Sequence, residues 1–190
     1  ELKDGAEDLI YKRLEPLVLC MGEELIDMPE TVENDIQITL PAKALKIYKA
    51  VEKDLVAKLQ EGEVTAKTAA TASMKCRQIA NGGIYLTEEV HALVKLPSTD
   101  KKSIDLHEAK LDALEELVEE LQGSPLLVAY DFKHDLARLQ KRFGKDVPYI
   151  GGGVSARKCE KIVDAWNRGE LPILLGNPQS MAHGLNLQAS

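Results

Sequence analysis

Three consecutive glycines stand in the stretch Tyr149-Ile-Gly-Gly-Gly-Val-Ser155, between an apolar run and a helical pattern. Glycines placed there leave the amides of a helix start open to a phosphate oxygen, because no side chain stands in the way. The stretch has three readings. A dinucleotide fingerprint needs G-x-G-x-x-G; Gly151 and Gly153 supply the first two glycines, but Ala156 occupies the third position. A tight turn needs only the backbone freedom of glycine. A nucleic-acid backbone would use the same open amides. A second candidate is Tyr130-Asp-Phe-Lys-His134, which carries Lys133 off the end of a strand, where a lysine is either solvated or a phosphate contact. His134 reads as a helix-start residue.

Other chemistry is poorly provided for. The single Gly-Lys pair, Gly144-Lys145, is followed by Asp146 and does not make the G-x-x-x-x-G-K-[ST] loop of phosphate hydrolysis. No Asp-Glu pair ends a strand to hold magnesium, and no serine sits in a nucleophile elbow. His91, His107 and His183 lack metal-ligand spacing, and Cys20, Cys76 and Cys159 form no CxxC pair. The cysteines read as reduced thiols of a cytosolic protein. The sequence therefore assigns no catalytic residue and no metal site.

The candidate loops need a scaffold, and the last third of the chain supplies one. Leu126–Tyr130 reads as a fully buried strand and His134–Phe143 as a helix with Leu136, Leu139 and Phe143 inward. Val147–Ile150 reads as a strand. Ser155–Asn167 is a helix with Cys159, Ile162, Val163 and Trp166 on one face, and Pro172–Leu175 is a strand; Leu185–Leu187 starts another. Strands and helices in this alternation predict a parallel sheet with right-handed crossovers. The working loops are then those beyond the strands' carboxyl ends: 131–134, 151–155 and 176–184.

Upstream, Glu7–Leu14 is a short helix, and residues 34–40 alternate as a strand with Ile36, Ile38 and Leu40 on one face. Leu45, Tyr48, Val51, Leu55 and Leu59 mark a helix after Pro41. An Ala/Thr-rich helix over 65–80 ends at Asn81-Gly-Gly83, and the two helices predict an antiparallel hairpin. Ile84–Thr87 is a short strand and 91–102 a connector. A long amphipathic helix begins at Asp105, with Leu106, Ala113, Leu114, Leu117, Val118 and Leu121 buried and the acids of 115–120 facing water.

The chain has 190 residues, 44% of them hydrophobic and 4% aromatic, enough for a mainly aliphatic core. No apolar run reaches the roughly 20 residues of a membrane span. The net charge of −7 argues against free-standing electrostatic DNA binding. The charge is uneven: from Leu126 onward nine bases oppose six acids, giving +3, so residues 1–125 carry −10. That pattern is either ordinary solvated helix faces or a weakly basic surface that works with another domain.

Several stretches together resemble Swi/Snf-type superfamily 2 helicases, in their phage or prophage branch. Lys75–Tyr85 is similar to that family's LRQICNHP region, and Lys110–Leu114 to its following helix. Pro125–Phe132 resembles motif IV, the first strand of the second RecA-like lobe. Gly152–Ser155 through Asp164–Asn167 is similar to the next family block, and Ser180-Met-Ala-His-Gly-Leu-Asn-Leu-Gln188 to motif V. Residues 17–40 are similar to the passage between lobes. Three positions depart from the family: Ala182 replaces a glycine, Cys159 an arginine, and Cys20-Met21 an arginine pair.

The resemblance implies an α/β fold: a three-layer RecA-like parallel sheet with flanking helices and an inserted or preceding helical hairpin. It implies an interlobe connector and first strand over 1–40, a hairpin protrusion over 41–83 and a C-terminal RecA-like lobe over 84–190. By the resemblance the chain starts after the lobe carrying the ATP-gripping loop and stops before motif VI, and its first residue, Glu1, suggests an excised segment. The implied parent is a cytoplasmic, bacterial or phage-encoded ATP-dependent DNA translocase using ATP and Mg2+, while the segment alone is inactive and holds no cofactor. Its partners are the backbone of DNA, without sequence preference, and an N-terminal lobe, with no membrane. Lys133, Gly152, Gly153, Val154 and Ser180 would grip nucleic acid; Gly184, Asn186 and Gln188 would meet the nucleotide. The alternatives left open are a non-catalytic nucleotide-binding module and a helical interaction scaffold.

Overall fold

The computed structural model describes residues 5–14, 18, 32–60, 66–88, 90, 102–182 and 185–188. The chain divides into two compact units, Glu1–Asp35 and Ile36–Ser190. In the first, helix α1 (Ala6–Leu14) carries Glu7 and Asp8 in its first turn and Lys12 and Arg13 in its last, complementing the helix dipole. None of its residues is buried.

The second unit is built on strands β3 (Leu126–Ala129), β4 (Tyr149–Ile150) and β5 (Ile173–Gly176), all parallel, in the order β3-β5-β4. Helix α5 (Lys133–Phe143) links β3 to β4, and α6 (Ala156–Asn167) links β4 back to β5. Because the second crossover reverses the direction of the first, right-handed connections put the two helices on opposite faces. The cores bear this out. Leu175 packs with Leu111, Tyr130 and Leu139 on one face, while its neighbour Leu174 packs with Ile150, Ile162 and Trp166 on the other. Successive strand residues point to opposite sides, so β5 is buried on both. Helix α4 (Ala109–Glu120) joins α5 on the first face through Leu111 and Leu114, completing three layers.

The other part of this unit is a pair of helices, α2 (Ala42–Gln60) and α3 (Ala66–Asn81), over a short antiparallel sheet of β1 (Gly83–Tyr85) and β2 (Ser103–Asp105). Ile47, Tyr48 and Val51 from the first half of α2 meet Cys76 and Ile79 from the last turns of α3, so the helices run antiparallel. Ile84 and Ile104 close the same core from the strands. Burial, then the nearby Glu52 carboxylate, pushes the Cys76 thiol up.

Several sequence expectations are corrected here. On α2, Val51 is buried with Ala44 and Ile47 and Tyr48 packs beside them, but Leu45 is exposed; the side chains of Leu55 and Leu59 lie outside the described residues. Residues 34–40 form no strand: Ile36 and Ile38 instead line a groove of about 280 Å³ with Leu111, Leu114 and Leu117, where Ile38 is half-buried and Ile36 stays 53% exposed. Ser103–Asp105 pairs with β1, which delays the start of α4 to Ala109 and leaves Leu106 in the helical-pair core. Glu115 does not simply face water; with Glu108 and Asp112 it binds the Arg142 guanidinium at 2.5–2.8 Å, tying α4 to the end of α5. Those carboxylates raise the Arg142 pKa. Strand β3 is buried on one face only, and Leu127 on its other face is 40% exposed, as suits an edge strand. Residues 185–187 form no strand.

Candidate functional site

The parallel strands deliver their carboxyl ends to one rim, and Asn177, just past β5, ties that rim together. Its N–H donates to the Ile150 carbonyl at 2.8 Å, and its side-chain amide donates to the carbonyls of Tyr130 (3.2 Å) and Asp131 (3.4 Å). The Tyr130 N–H in turn donates to the Gly176 carbonyl at 3.0 Å. Gly151 is buried against the Tyr130 hydroxyl, and a Cβ there would collide with it. Burial, then the neighbouring Tyr149, pushes the Tyr130 phenol up. Thus the loops after β3, β4 and β5 are bonded to one another as they leave the sheet.

The expected contact residues take different positions on this frame. Gly152 and Gly153 are exposed, open space lies where each Cβ would stand, and Gly153 has φ +91°, a conformation that favours glycine. Val154 anchors the turn: its N–H donates to the Gly151 carbonyl at 3.2 Å and its side chain packs on the Ile162–Trp166 core. Ser155 then caps α6, accepting from the Lys158 N–H. Lys133 is exposed at the first residue of α5, with its N–H donated to the Tyr85 hydroxyl at 3.1 Å. Ser180 is exposed in the short helix α7 (Pro178–Met181), its N–H bonded to the Asn177 carbonyl at 2.9 Å.

Asn186 and Gln188 lie elsewhere. The Asn167 side chain donates to the Asn186 carbonyl at 2.8 Å and accepts the Gln188 N–H at 3.1 Å. Leu185 and Leu187 turn into the core, leaving Asn186 and Gln188 exposed. Asn167 ends the 12-residue helix that Ser155 begins, so this segment sits about 18 Å along α6 from the glycine turn. Gly184 lies outside the described residues, as do Cys20 and Met21. Among the described residues no three of His, Cys, Asp and Glu are gathered as metal ligands.

A polar seam that the sequence reading did not find joins the helical pair to α5. Arg138 is buried; its guanidinium donates to the carbonyls of Asn81 (2.6 Å) and His107 and lies 3.7 Å from the Asp105 carboxylate. Asp135, also buried, accepts from the Asn81 amide at 3.0 Å and from the Phe132 N–H at 3.2 Å, and Lys110 completes the group at the Asn81 oxygen, 2.9 Å away. His134 Nδ1 stands 3.0 Å from Asp135 Oδ1 without hydrogen-bond alignment. Its ring stacks on Phe132 and meets Tyr85 edge-on. Burial raises the Asp135 carboxyl, but His134, Asn81 and the Phe132 N–H together outweigh it and hold it below its usual range. Arg77 of α3 reaches the rim itself, paired with Asp131 and 6.0 Å from the Phe132 ring. Locally the sequence carries only capping signals at the seam's two sides, an aspartate at the third position of α5 and an asparagine before Gly82-Gly83, and neither signal points to the other residue.

Compared with solved structures, the chain superposes on a Sulfolobus solfataricus SWI2/SNF2 ATPase C-terminal domain with a TM-score of 0.60, over 84% of this chain and 68% of that one, at 16% identity. The fold is that of a SWI2/SNF2 ATPase C-terminal domain. A SWI2/SNF2 ATPase core domain from the same organism matches 90% of this chain and 36% of its own length, with a TM-score of 0.55 and 17% identity. Among curated proteins, p41 of Acyrthosiphon pisum secondary endosymbiont phage 1 is 40% identical over 163 residues. YwqA of Bacillus subtilis (strain 168), which carries the name ATP-dependent helicase/translocase, is 24% identical over 173 residues. The chain spans 31% of the phage protein and 18% of YwqA. No family model matches it. The resemblance to Swi/Snf-type and phage proteins read from the motifs is borne out, as is the RecA-like α/β fold.

The Cys159 side chain is half-buried with Ile162 and Trp166. Lys158 beside it is exposed, 5.9 Å from the Tyr149 ring. No helix among the described residues is long and apolar enough to cross a membrane.

Proposed function

We propose that this chain is the second RecA-like lobe of an ATP-dependent DNA helicase or translocase of a bacterium or phage, working in the cytoplasm against an N-terminal lobe of the same protein. The observation that carries this reading is the rim: on a SWI2/SNF2 C-terminal fold, Asn177 bonds the ends of all three parallel strands into one unit, beside an open glycine turn and a helix-start lysine. In this reading Gly152 and Gly153 offer main-chain contacts to phosphate and sugar, Val154 anchors their turn, and Lys133 and Ser180 add polar groups beside them. Such contacts position a strand without reading its sequence. Gly184, Asn186 and Gln188 couple that grip to nucleotide held between the lobes. The residues divide into a connector over 1–40, the helical hairpin over 41–83 and the lobe over 84–190.

ATP is the parent's substrate and Mg2+ its companion ion, and the other lobe supplies the groups that grip both. This lobe's own work is to hold one strand and to exchange that hold as the lobes close and part. The isolated chain is expected to show no ATP hydrolysis with or without DNA, whereas the whole parent hydrolyses ATP faster with DNA present. Turnover by the isolated chain would refute the reading. In the parent, Lys133→Ala should weaken DNA binding and reduce the slope of log K against log salt by about 1. An unchanged slope removes Lys133 from the site.

A further inference from the structure

The solvent face of α2 carries a lysine stripe that the rim does not use. Lys43, Lys46, Lys49 and Lys53 recur at intervals of three, three and four residues, and all four are exposed. At about 100° per residue they fall on one face, opposite the buried Ala44, Ile47 and Val51. None of the four has an ion-pair or hydrogen-bond partner among the described residues. The one exposed acid between them, Glu52, lies to the side of the stripe. Ala42, Lys43, Leu45, Lys46 and Lys49 line a shallow depression at its near end. Residues 1–125 carry −10 overall, so four unneutralised cations on one helix face stand against the local average.

We infer that this stripe is a contact for the phosphate backbone of double-stranded DNA. The spacing fits. Ten residues of helix advance about 15 Å, and one DNA strand presents a phosphate about every 3.4 Å of duplex axis, so the four ammonium groups span about four phosphates. Lysine supplies point charges on flexible stems and no fork to read a base, which suits a backbone contact without sequence preference. A membrane surface fits less well. Binding at a bilayer needs a free apolar face beneath the lysines, and the apolar residues of α2 alongside the stripe, Ile47 and Val51, are spent on Ile79, Ile84 and Val90 in the core. The choice of DNA as the polyanion rests on the helicase/translocase reading, whereas the charge pattern stands without it.

The test is anisotropy of a labelled short duplex titrated with this chain across a salt series, with circular dichroism confirming that each variant stays folded. The double variant Lys46→Gln/Lys49→Gln should bind more weakly and show a log–log salt slope smaller by about 1.8. A control pair on other exposed positions, Lys141→Gln/Lys161→Gln, should change the slope by less than half as much. No duplex binding at the lowest salt, an equal effect of the control pair, an unchanged slope in the stripe variant, or stripe-dependent binding to phosphatidylserine vesicles alone would each overturn the proposal. Lys133→Ala separates the two sites. A stripe effect with Lys133 silent keeps this contact and removes that lysine from the rim; the reverse result keeps the rim and removes the stripe.

Discussion

The two ends of the loop 131–134 belong to regions built in opposite ways. On one side, the seam around Arg138 and Asp135 uses side chains, most of them buried, and bonds Asn81, Asp135 and the Arg138 terminal nitrogens to one another and to main-chain groups, while both His134 nitrogens, Asp135 Oδ1 and Arg138 Nε have no hydrogen-bond partner among the described residues. On the other side, the strand-end rim is held by one asparagine and by main-chain bonds, and its glycine turn leaves backbone open to solvent. The seam sets where the helical pair stands on α5, and long-range bonds from buried side chains suit that task. The rim has to accept something that comes and goes, and open amides suit that one.

Variants that separate the two regions should rank accordingly. The largest loss is expected from Arg138→Ala, which strands the buried carbonyl of His107 and the part-buried one of Asn81: about 3 kcal/mol, read from the urea midpoint. A loss below about 1 kcal/mol would mean that water replaces the guanidinium and that the seam is no tighter than the rim. Gly151→Ala tests the rim's one packed point. The new Cβ meets the Tyr130 hydroxyl, which sits at the far end of a rigid ring, so about 2 kcal/mol is expected. Much of that should return in the Tyr130→Phe background, and additivity of the two changes would show that the collision is relieved some other way.

Asp135 gives the seam a pH signature. Its carboxyl is held below the usual range in the folded chain, so ionisation stabilises the fold above the unfolded carboxylate's range, about pH 4. That contribution is lost as pH falls through the folded value. Asp135→Asn should therefore flatten the acid limb of a stability–pH curve while leaving its slope above neutrality unchanged; an unaltered acid limb would assign the limb to other carboxylates. The smallest effect belongs to Arg77→Ala at the border of the two regions. Its pair with Asp131 is solvent-exposed, and thermal unfolding should move by less than the equivalent of about 1 kcal/mol.

What the sequence made legible follows the same division. Helices α5 and α6 and the three parallel strands came from periodicity, because each is dictated by residues close in the chain, whereas the sequence reading puts full burial at Leu126–Tyr130 when it belongs to the central strand at Leu174-Leu175. The glycine turn was visible for the same reason. The seam was not: Asn81 and Asp135 are 54 positions apart, and no local pattern says that an asparagine ending one helix will face an aspartate starting another. The alternation in 34–40 misled because period two needs no partner strand: Ile38 and Leu40 are half-buried without a ladder, and Ile36 stays exposed at the groove. Asn177 was passed over inside a Gly-Asn-Pro turn signal whose residues suggest only a bend.

The Asn167 amide touches nothing of residues 186 and 188 except main chain, one carbonyl and one N–H. It serves this extended segment as a neighbouring strand would, fixing parity so that Leu185 and Leu187 go in while 186 and 188 go out. Anchorage and display are thus decoupled: the outward pair can be exchanged for other side chains with the scaffold untouched, whereas Asn167→Asp removes the donor to the Asn186 carbonyl and leaves the segment to the Gln188 N–H and the packing of Leu185 and Leu187.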